Sequence, residues 1–161
     1  MRTKMLRLLT NNDVVKVINL MDKSCKQAYF HGYERNEGIW TAFFINILVK
    51  QKQGDPNYIA VGYFDTEENL KGFLLASTFN NYYTNEPIMD VKDCIVDPDN
   101  KLNAKVVASL FDYMIYHTKK VGGKQWRADS IHEYEDSKRY VEFLNKRYNC
   151  AIQFSARGVI E

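Results

Sequence analysis

The sequence has few cysteines, and no two of them lie close together. Its three cysteines, Cys25, Cys94 and Cys150, are widely spaced, and no C-x-x-C motif occurs. Their spacing from the three histidines does not match a metal-ligand pattern. We therefore expect no disulfide framework, no bound metal, and thiols that remain reduced inside a cell.

The sequence also lacks long apolar runs and a strong excess of either charge. No segment approaches the roughly 20 apolar residues of a membrane span, and the first residues do not resemble a signal peptide. The net charge is +2, from 22 basic and 20 acidic residues, and no basic stripe with interleaved aromatics is visible. We expect no membrane and no nucleic acid as partner. The expected location is cytoplasmic, or a virion if the protein is viral, and the sequence does not indicate an oligomeric state.

The apolar content of the chain is that of a folded protein. Hydrophobic residues make up 45% of the sequence and aromatic residues 14%, which argues against disorder. At this length the simplest organisation is one domain over residues 1–161. A high content of Asn, Lys and Tyr is compatible with the A/T-rich genome of a phage.

Hydrophobic periodicity predicts an α/β fold in which a mixed sheet carries helices on its faces. The predicted order is β-α-α-β-β-β-α-β-α-β(β). Strands are predicted over residues 5–10, 58–64, 70–78, 88–96 and 125–131, with a closing strand or pair over 151–160. Helices are predicted over residues 14–28, 39–52 and 104–120, and a last helix is predicted to start at a cap formed by Asp136 or Ser137.

The junction between the strand over 88–96 and the following helix is the most informative segment. An apolar stripe marks the helix, formed by Val106, Val107, Leu110, Phe111, Met114 and Ile115. The first N–H groups of a helix have no partner within it, so a helix that starts directly after a strand is suited to bind phosphate.

The order of elements and this junction resemble the GCN5-related N-acetyltransferase (GNAT) superfamily over nearly the whole chain. The strand end Cys94-Ile95-Val96-Asp97-Pro98 is similar to the end of the family's fourth strand. The resemblance implies binding of acetyl-coenzyme A by backbone groups of this strand and of the turn after it. The implied cofactor-binding residues are Cys94, Ile95, Val96, Lys101, Leu102, Asn103, Ala104, Lys105 and Val106.

The chain departs from the family pattern in this turn. The family has Arg or Gln, then two residues, Gly, one residue, and Gly or Ala, where this sequence has Lys101, Ala104 and Val106. No glycine lies between Asp97 and Val121. We expect the β-carbon of Val106 to lie where the backbone should approach a phosphate closely.

The resemblance also implies the catalytic groups. The family often takes a base from a carboxylate on the fourth strand, here Asp90 or, as the alternative, Asp93. Strand alternation predicts Asp90 on one face with Cys94, and Asp93 on the other. His132 is a second candidate base, near the end of the fifth strand. Leu144 takes the place of the family's tyrosine acid on the last helix, so Tyr148 is the candidate for that role, with Tyr140 as an alternative.

Two functions are consistent with these residues. The first is an acyl-coenzyme-A-dependent N-acetyltransferase that acts on an amine of a small molecule or a protein. The alternative is a catalytically inactive protein of the same fold. Such a protein would be a structural or protein-binding component, for example of a phage virion, or an inhibitor of a host factor.

Overall fold

The computed structural model describes residues 5–25, 36–129 and 134–152, and in this part of the chain the predicted order of elements is confirmed. The strands are β1 (Leu6–Leu8), β2 (Tyr58–Phe64), β3 (Leu70–Asn80), β4 (Pro87–Val96) and β5 (Gln125–Ala128). The helices are α1 (Val14–Cys25), α2 (Glu37–Lys52), α3 (Asn103–Lys120) and α4 (Tyr134–Tyr148).

The strands form one sheet in the order β1-β2-β3-β4-β5. All neighbouring strands are antiparallel except β4 and β5, which are parallel because α3 crosses over between them. The predicted fold class, a mixed sheet with helices, is therefore confirmed. Strands β2 and β3 form a hairpin, and the Asp65 carboxylate caps its turn by accepting from the N–H groups of Glu67 and Asn69.

Both faces of the sheet are covered by helices. One face packs against α1 and α2, through residues such as Val17, Phe44 and Phe73. The other face packs against α3 and α4, through residues such as Leu74, Phe111 and Leu144. The predicted stripe on α3 lies in this second layer: Val106, Val107, Leu110, Phe111 and Met114 are buried, and Ile115 is partly buried against them.

Some predicted boundaries differ from the structure. Helix α4 begins at Tyr134, two or three residues before the predicted caps Asp136 and Ser137. The predicted closing strand lies outside the described residues, apart from Ala151 and Ile152, which are not in a strand. No described helix combines the length and the apolar character that a membrane span requires.

Candidate active site

Within the described residues, β4 pairs with β5 only along its first part. The two strands pair only up to Val91 and Ala128. Within the described residues, positions 93–96 of β4 therefore pair with β3 on one side and have no strand on the other. In the part of the chain that the structure describes, this leaves a gap beside the C-terminal half of β4.

The backbone of β4 directs donors into this gap. The N–H group of Asp97 donates to the carbonyl oxygen of Lys71 at 2.8 Å, on the side of β3. Because the hydrogen-bonding direction alternates along a strand, the N–H groups of Cys94 and Val96 point the opposite way, into the gap. The carbonyl group of Val96 also points away from β3, because it accepts from the hydroxyl of Ser24 on α1 at 3.1 Å.

A β-bulge interrupts β4 at Lys92, where the gap begins. On β3, the consecutive residues Leu75 and Ala76 pair with Asp93 and Val91, so Lys92 is an extra residue between them. A bulge of this kind shifts the alternation of side chains by one position. The strand therefore presents its later side chains on the opposite faces from those that simple alternation predicts.

The bulge makes one sequence-based expectation wrong. Alternation predicted Asp90 on the face of Cys94, and Asp93 on the other face. In the structure Asp90 and Asp93 both lie on the face covered by α1 and α2, whereas Cys94 and Val91 lie on the face of α3 and α4. Both candidate bases therefore lie on the same side of the sheet.

Asp90 is held in a cluster of charges. It is 3% exposed, and its two carboxylate oxygens accept from Nε and Nη2 of Arg127 on β5 at 3.0 and 3.1 Å. The Lys92 ammonium is also paired with it, and the Arg127 guanidinium lies 4.7 Å from the ring centre of Phe79. These contacts occupy Asp90 where β4 and β5 still pair, rather than in the gap.

Asp93 lies one residue past the bulge, at the start of the gap. The indole N–H of Trp40 on α2 donates to its carboxylate at 2.9 Å. This contact connects the carboxylate to the helix layer on the α1–α2 face. Asp93 is therefore the carboxylate of the pair that adjoins the unpaired part of β4.

Tyr140 on α4 approaches β4 from the opposite face. Its side chain packs into the α3–α4 layer together with Cys94, close enough for the two groups to shift each other's pKa. Burial raises the pKa of Tyr140 well above its usual value, and proximity to Cys94 and Asp129 raises it further. Loss of hydration, with the charge of Asp93, also raises the pKa of the Cys94 thiol, to about 12. Both groups are therefore protonated at neutral pH, which makes the Cys94 thiol a poor nucleophile.

The Tyr148 hydroxyl is held by α3. It donates to the Asp112 carboxylate at 2.8 Å and to the Ala108 carbonyl oxygen at 3.3 Å, and it accepts from Nε of Arg147 at 3.1 Å. Burial and the Asp112 contact raise the pKa of Tyr148 to about 12. Of the two tyrosines considered from the sequence, Tyr140 contacts β4 and Tyr148 contacts α3. The remaining candidate, His132, lies outside the described residues.

The N-terminus of α3 opens at the same end of β4. Its N-cap, Leu102, makes no side-chain capping hydrogen bond. The first N–H groups of the helix, at Asn103, Ala104 and Lys105, have no partner within it. Lys105 and Lys101 are exposed beside them, so the available groups are N–H donors and cations, which suit a phosphate.

The missing glycines do not distort this turn. The described non-glycine residues with positive φ are Glu68, Asn85 and Asn149, and none of them lies in the turn. The turn therefore does not need glycine for its backbone conformation. A side chain could still hinder a phosphate, but Ala104 adds only a methyl group there.

Val106 corrects the second sequence-based expectation. Its side chain is 1% exposed and points into the core, against Gly72 on β3. A β-carbon built on Gly72 would lie 2.6 Å from Cγ1 of Val106 and 3.1 Å from the Ile95 carbonyl oxygen. The valine thus occupies space that Gly72 leaves free, rather than the surface where a phosphate would approach.

We expect Gly72→Ala to lower the free energy of unfolding by about 1–3 kcal/mol, because the new methyl group overlaps the Val106 side chain. In a Val106→Ala background the same change should cost at least about 1 kcal/mol less, since the overlapping methyl group is gone. Denaturant unfolding of the four proteins of this cycle measures the coupling. An equal cost of Gly72→Ala in both backgrounds would contradict the contact.

Sequence reasoning missed three residues of this region: Arg127, Trp40 and Gly72. Each acts through a partner far away in the chain: Arg127 through Asp90, Trp40 through Asp93, and Gly72 through Val106. The lone glycine within a predicted strand was the one usable signal, because it indicates a close approach of another group. Among the described residues, no His, Cys, Asp and Glu side chains group together as a metal site would require.

Comparison with known proteins relates the chain to others through structure. No family model matches it, and no curated protein matches it in sequence. Among solved structures, PaiA N-acetyltransferase from Thermoplasma acidophilum, in complex with coenzyme A, is similar with a TM-score of 0.68 and 18% identity, over 88% of this chain and 86% of that one.

Two further solved structures are similar over nearly their full lengths. The aminoglycoside 6'-N-acetyltransferase AAC(6')-Ig from Acinetobacter haemolyticus has a TM-score of 0.68 and 11% identity, over 96% of this chain and 99% of that one. Ribosomal-protein-alanine N-acetyltransferase from Brucella melitensis biovar Abortus 2308 has a TM-score of 0.65 and 15% identity, over 97% of this chain and 99% of that one. At these identities the likeness shows the fold.

Proposed function

We propose that this chain, which has the fold of the GCN5-related N-acetyltransferases, transfers an acetyl group from acetyl-coenzyme A to an amine. The observation that supports this most is the gap beside residues 93–96 of β4. The Cys94 N–H and the Tyr140 hydroxyl approach this gap from two directions, and the N-terminus of α3 opens at the same end.

The proposed cofactor site combines two parts of the chain. Phosphates are assigned to the first N–H groups of α3, at Asn103, Ala104 and Lys105, with the charges of Lys101 and Lys105 beside them. Leu102 is the exposed N-cap of this site. When bound, acetyl-coenzyme A supplies an activated acetyl thioester. The part of coenzyme A that carries the acetyl group is assigned to the backbone of β4 from Cys94 to Val96.

Each residue of the gap then has a role that its surroundings support. The Cys94 N–H is a fixed donor for a carbonyl oxygen and favours the negative charge that develops there during acyl transfer. Asp93, which adjoins the gap, is assigned as the base that takes the proton of the amine, directly or through water. Asp90 remains a second candidate, but both of its oxygens already accept from Arg127.

Tyr140 is assigned as the hydrogen-bond donor to the sulfur of the leaving group. An ordinary thiol has a pKa of about 8.5, whereas the pKa of Tyr140 is raised well above its ordinary value of 10.0. Complete transfer of the phenolic proton to a thiolate is therefore uphill. A hydrogen bond from a hydroxyl that stays protonated stabilises the thiolate without that cost.

The first test is whether the purified protein binds acetyl-coenzyme A in a calorimetric titration, with Ala104→Glu as the site variant. Ala104 is exposed in the first turn of α3, where a carboxylate favours the helix dipole, so the fold should be kept. The same carboxylate repels phosphate. We expect binding to weaken at least about tenfold, a loss of about 1.4 kcal/mol.

Ala104→Gln is the matched control, because glutamine has the size of glutamate without its charge, and it should bind within about threefold of wild type. Equal affinities of the two variants would contradict the assigned phosphate site. No binding by the wild-type protein up to millimolar ligand would refute the proposal as a whole. The alternative, a scaffold of this fold that binds a protein partner, would then take its place.

The acceptor is proposed as an amine, and the similar structures suggest which amines to try first. Because two of them are named for aminoglycoside and ribosomal-protein-alanine acetylation, the first panel is an aminoglycoside, a peptide that begins with alanine, and a polyamine. Release of free coenzyme A thiol reports transfer to each of them. Transfer to none of them, in a protein that binds acetyl-coenzyme A, would move the search to protein amines.

A further inference from the structure

Helix α2 has an outer face that differs from that of an ordinary surface helix. Its inner face is buried through Phe44, Ile47 and Leu48. A surface helix usually carries charged and polar residues on the opposite face. Here the opposite face is exposed but largely apolar, and Ile45 and Val49 are 36% and 43% exposed.

Four of the exposed apolar residues of α2 follow a regular spacing, and a fifth, Ile39, is 70% exposed and lies outside it. Gly38, Ala42, Ile45 and Val49 are separated by four, three and four residues, and all four are exposed. This is the spacing of the contact seam between two packed helices. We refer to these four residues as the α2 seam. It has small residues in its first half and large apolar residues in its second half.

We propose that the α2 seam binds the same seam of a second copy of this chain, with the two helices antiparallel. In that arrangement Gly38 of one copy faces Val49 of the other, and Ala42 faces Ile45. Each large side chain then meets a small one along the whole seam, which allows close packing. A parallel arrangement would instead place large against large and small against small.

The charges at the ends of α2 support the same arrangement. Glu37 lies in the first turn of the helix, and Lys50 and Lys52 lie in the last turn. Antiparallel packing brings the acidic end of each copy to the basic end of the other, and it also opposes the two helix dipoles. Parallel packing would bring like charges together. Both the size pattern and the charge pattern thus favour a two-fold symmetric contact.

An apolar groove lies beside the C-terminal end of α2, outside the seam. The groove has a volume of about 470 Å³ and is lined mainly by residues of the β1 end and the α2 end, including Leu8, Leu48 and Lys52. In the antiparallel arrangement the first turn of the partner's α2 lies at this end. The seam runs only from Gly38 to Val49 and is about 18 Å long, so we expect a dimer of micromolar rather than nanomolar affinity.

Sedimentation equilibrium of the full chain between about 1 and 500 µM tests the dimer. We expect concentration-dependent dimerisation that Ala42→Arg weakens at least about tenfold, because the new charge lies in the middle of the seam. Val15→Arg is the matched control: Val15 is 68% exposed on α1, so the same charge replaces an exposed apolar residue outside the seam. It should change the dimerisation constant less than about twofold.

The register of the contact is tested at Gly38. A β-carbon at this position meets nothing closer than Asn36 Oδ1 at 3.5 Å, and the position is exposed, so Gly38→Leu should leave the monomer folded. In the antiparallel dimer it overlaps Val49 of the other copy and should weaken dimerisation at least about fivefold, while Val49→Ala in the same chain should restore it.

Three results would overturn the proposal. A wild-type protein that is monomeric at 500 µM would exclude the dimer. A dimer that Ala42→Arg weakens no more than Val15→Arg does would exclude the α2 seam. A dimer that Gly38→Leu does not weaken, or that Val49→Ala does not restore, would exclude the antiparallel register.

Discussion

Replacement of Phe111 by alanine should lower the free energy of unfolding by about 3–5 kcal/mol. Phe111 is fully buried at the centre of the α3–α4 layer. Its ring centre lies 5.5 Å from that of Trp126, 6.2 Å from that of Tyr140 and 6.1 Å from that of Tyr148. The ring thus joins α3, β5 and α4, and its removal leaves a cavity that three large side chains cannot easily fill.

Tyr116→Ala is the matched control for this change. It removes an aromatic ring from the same helix, but Tyr116 is 64% exposed, so the loss should stay below about 1 kcal/mol. Urea unfolding of both variants, followed by far-ultraviolet circular dichroism, gives the two values. A loss below about 1 kcal/mol for Phe111→Ala would mean that the apolar stripe of α3 does not form the core described above.

Replacement of Tyr140 by phenylalanine should reduce the rate of acetyl transfer about 100-fold, at the lower end of what one positioned hydrogen-bond donor to a developing charge contributes. The change removes only the hydroxyl that approaches Cys94, and the ring stays packed against Phe111. Because the donor serves the leaving group, the loss should appear in kcat, with the affinity for acetyl-coenzyme A nearly unchanged.

Tyr148→Phe is the matched control for Tyr140→Phe. It removes a hydroxyl from the same helix that contacts Asp112 on α3 instead of β4. We expect its kcat to remain within about threefold of wild type. The rates are measured as release of coenzyme A thiol with whichever amine of the panel is accepted. Equal losses in the two variants would show that Tyr140 has no particular role, and a larger loss for Tyr148→Phe would restore the sequence-based assignment.

The direction of the side chains along β4 depends on strand pairing, which the sequence does not reveal. The alternation of side chains along β4 was a sound rule for a regular strand, yet one extra residue at Lys92 reversed it for every later position. No residue type near Lys92 reports the bulge, because it depends on how β4 pairs with β3. Periodicity therefore predicted the strand correctly but assigned the side chains after Lys92 to the wrong faces of the sheet.

The position of Val106 could not be predicted from the turn alone. The family pattern indicates that the backbone at this position comes close to another group, but it does not say on which side of the helix. The rotation of α3 about its axis decides that side, and packing of the apolar stripe on the sheet fixes the rotation. Because the apolar stripe includes Val106, the helix pattern predicted that Val106 is buried. It did not predict the contact between Val106 and Gly72.

The sequence by itself determined the order of the helices and strands, the class of the fold and the buried face of α3. These features follow from local periodicity and capping, which neighbouring residues express without reference to the rest of the chain. Only the tertiary structure decided that Asp90 is paired with Arg127, that Tyr140 rather than Tyr148 contacts β4, and that the α2 seam remains exposed. Each of these depends on strand register or helix rotation, which contacts between distant parts of the chain set.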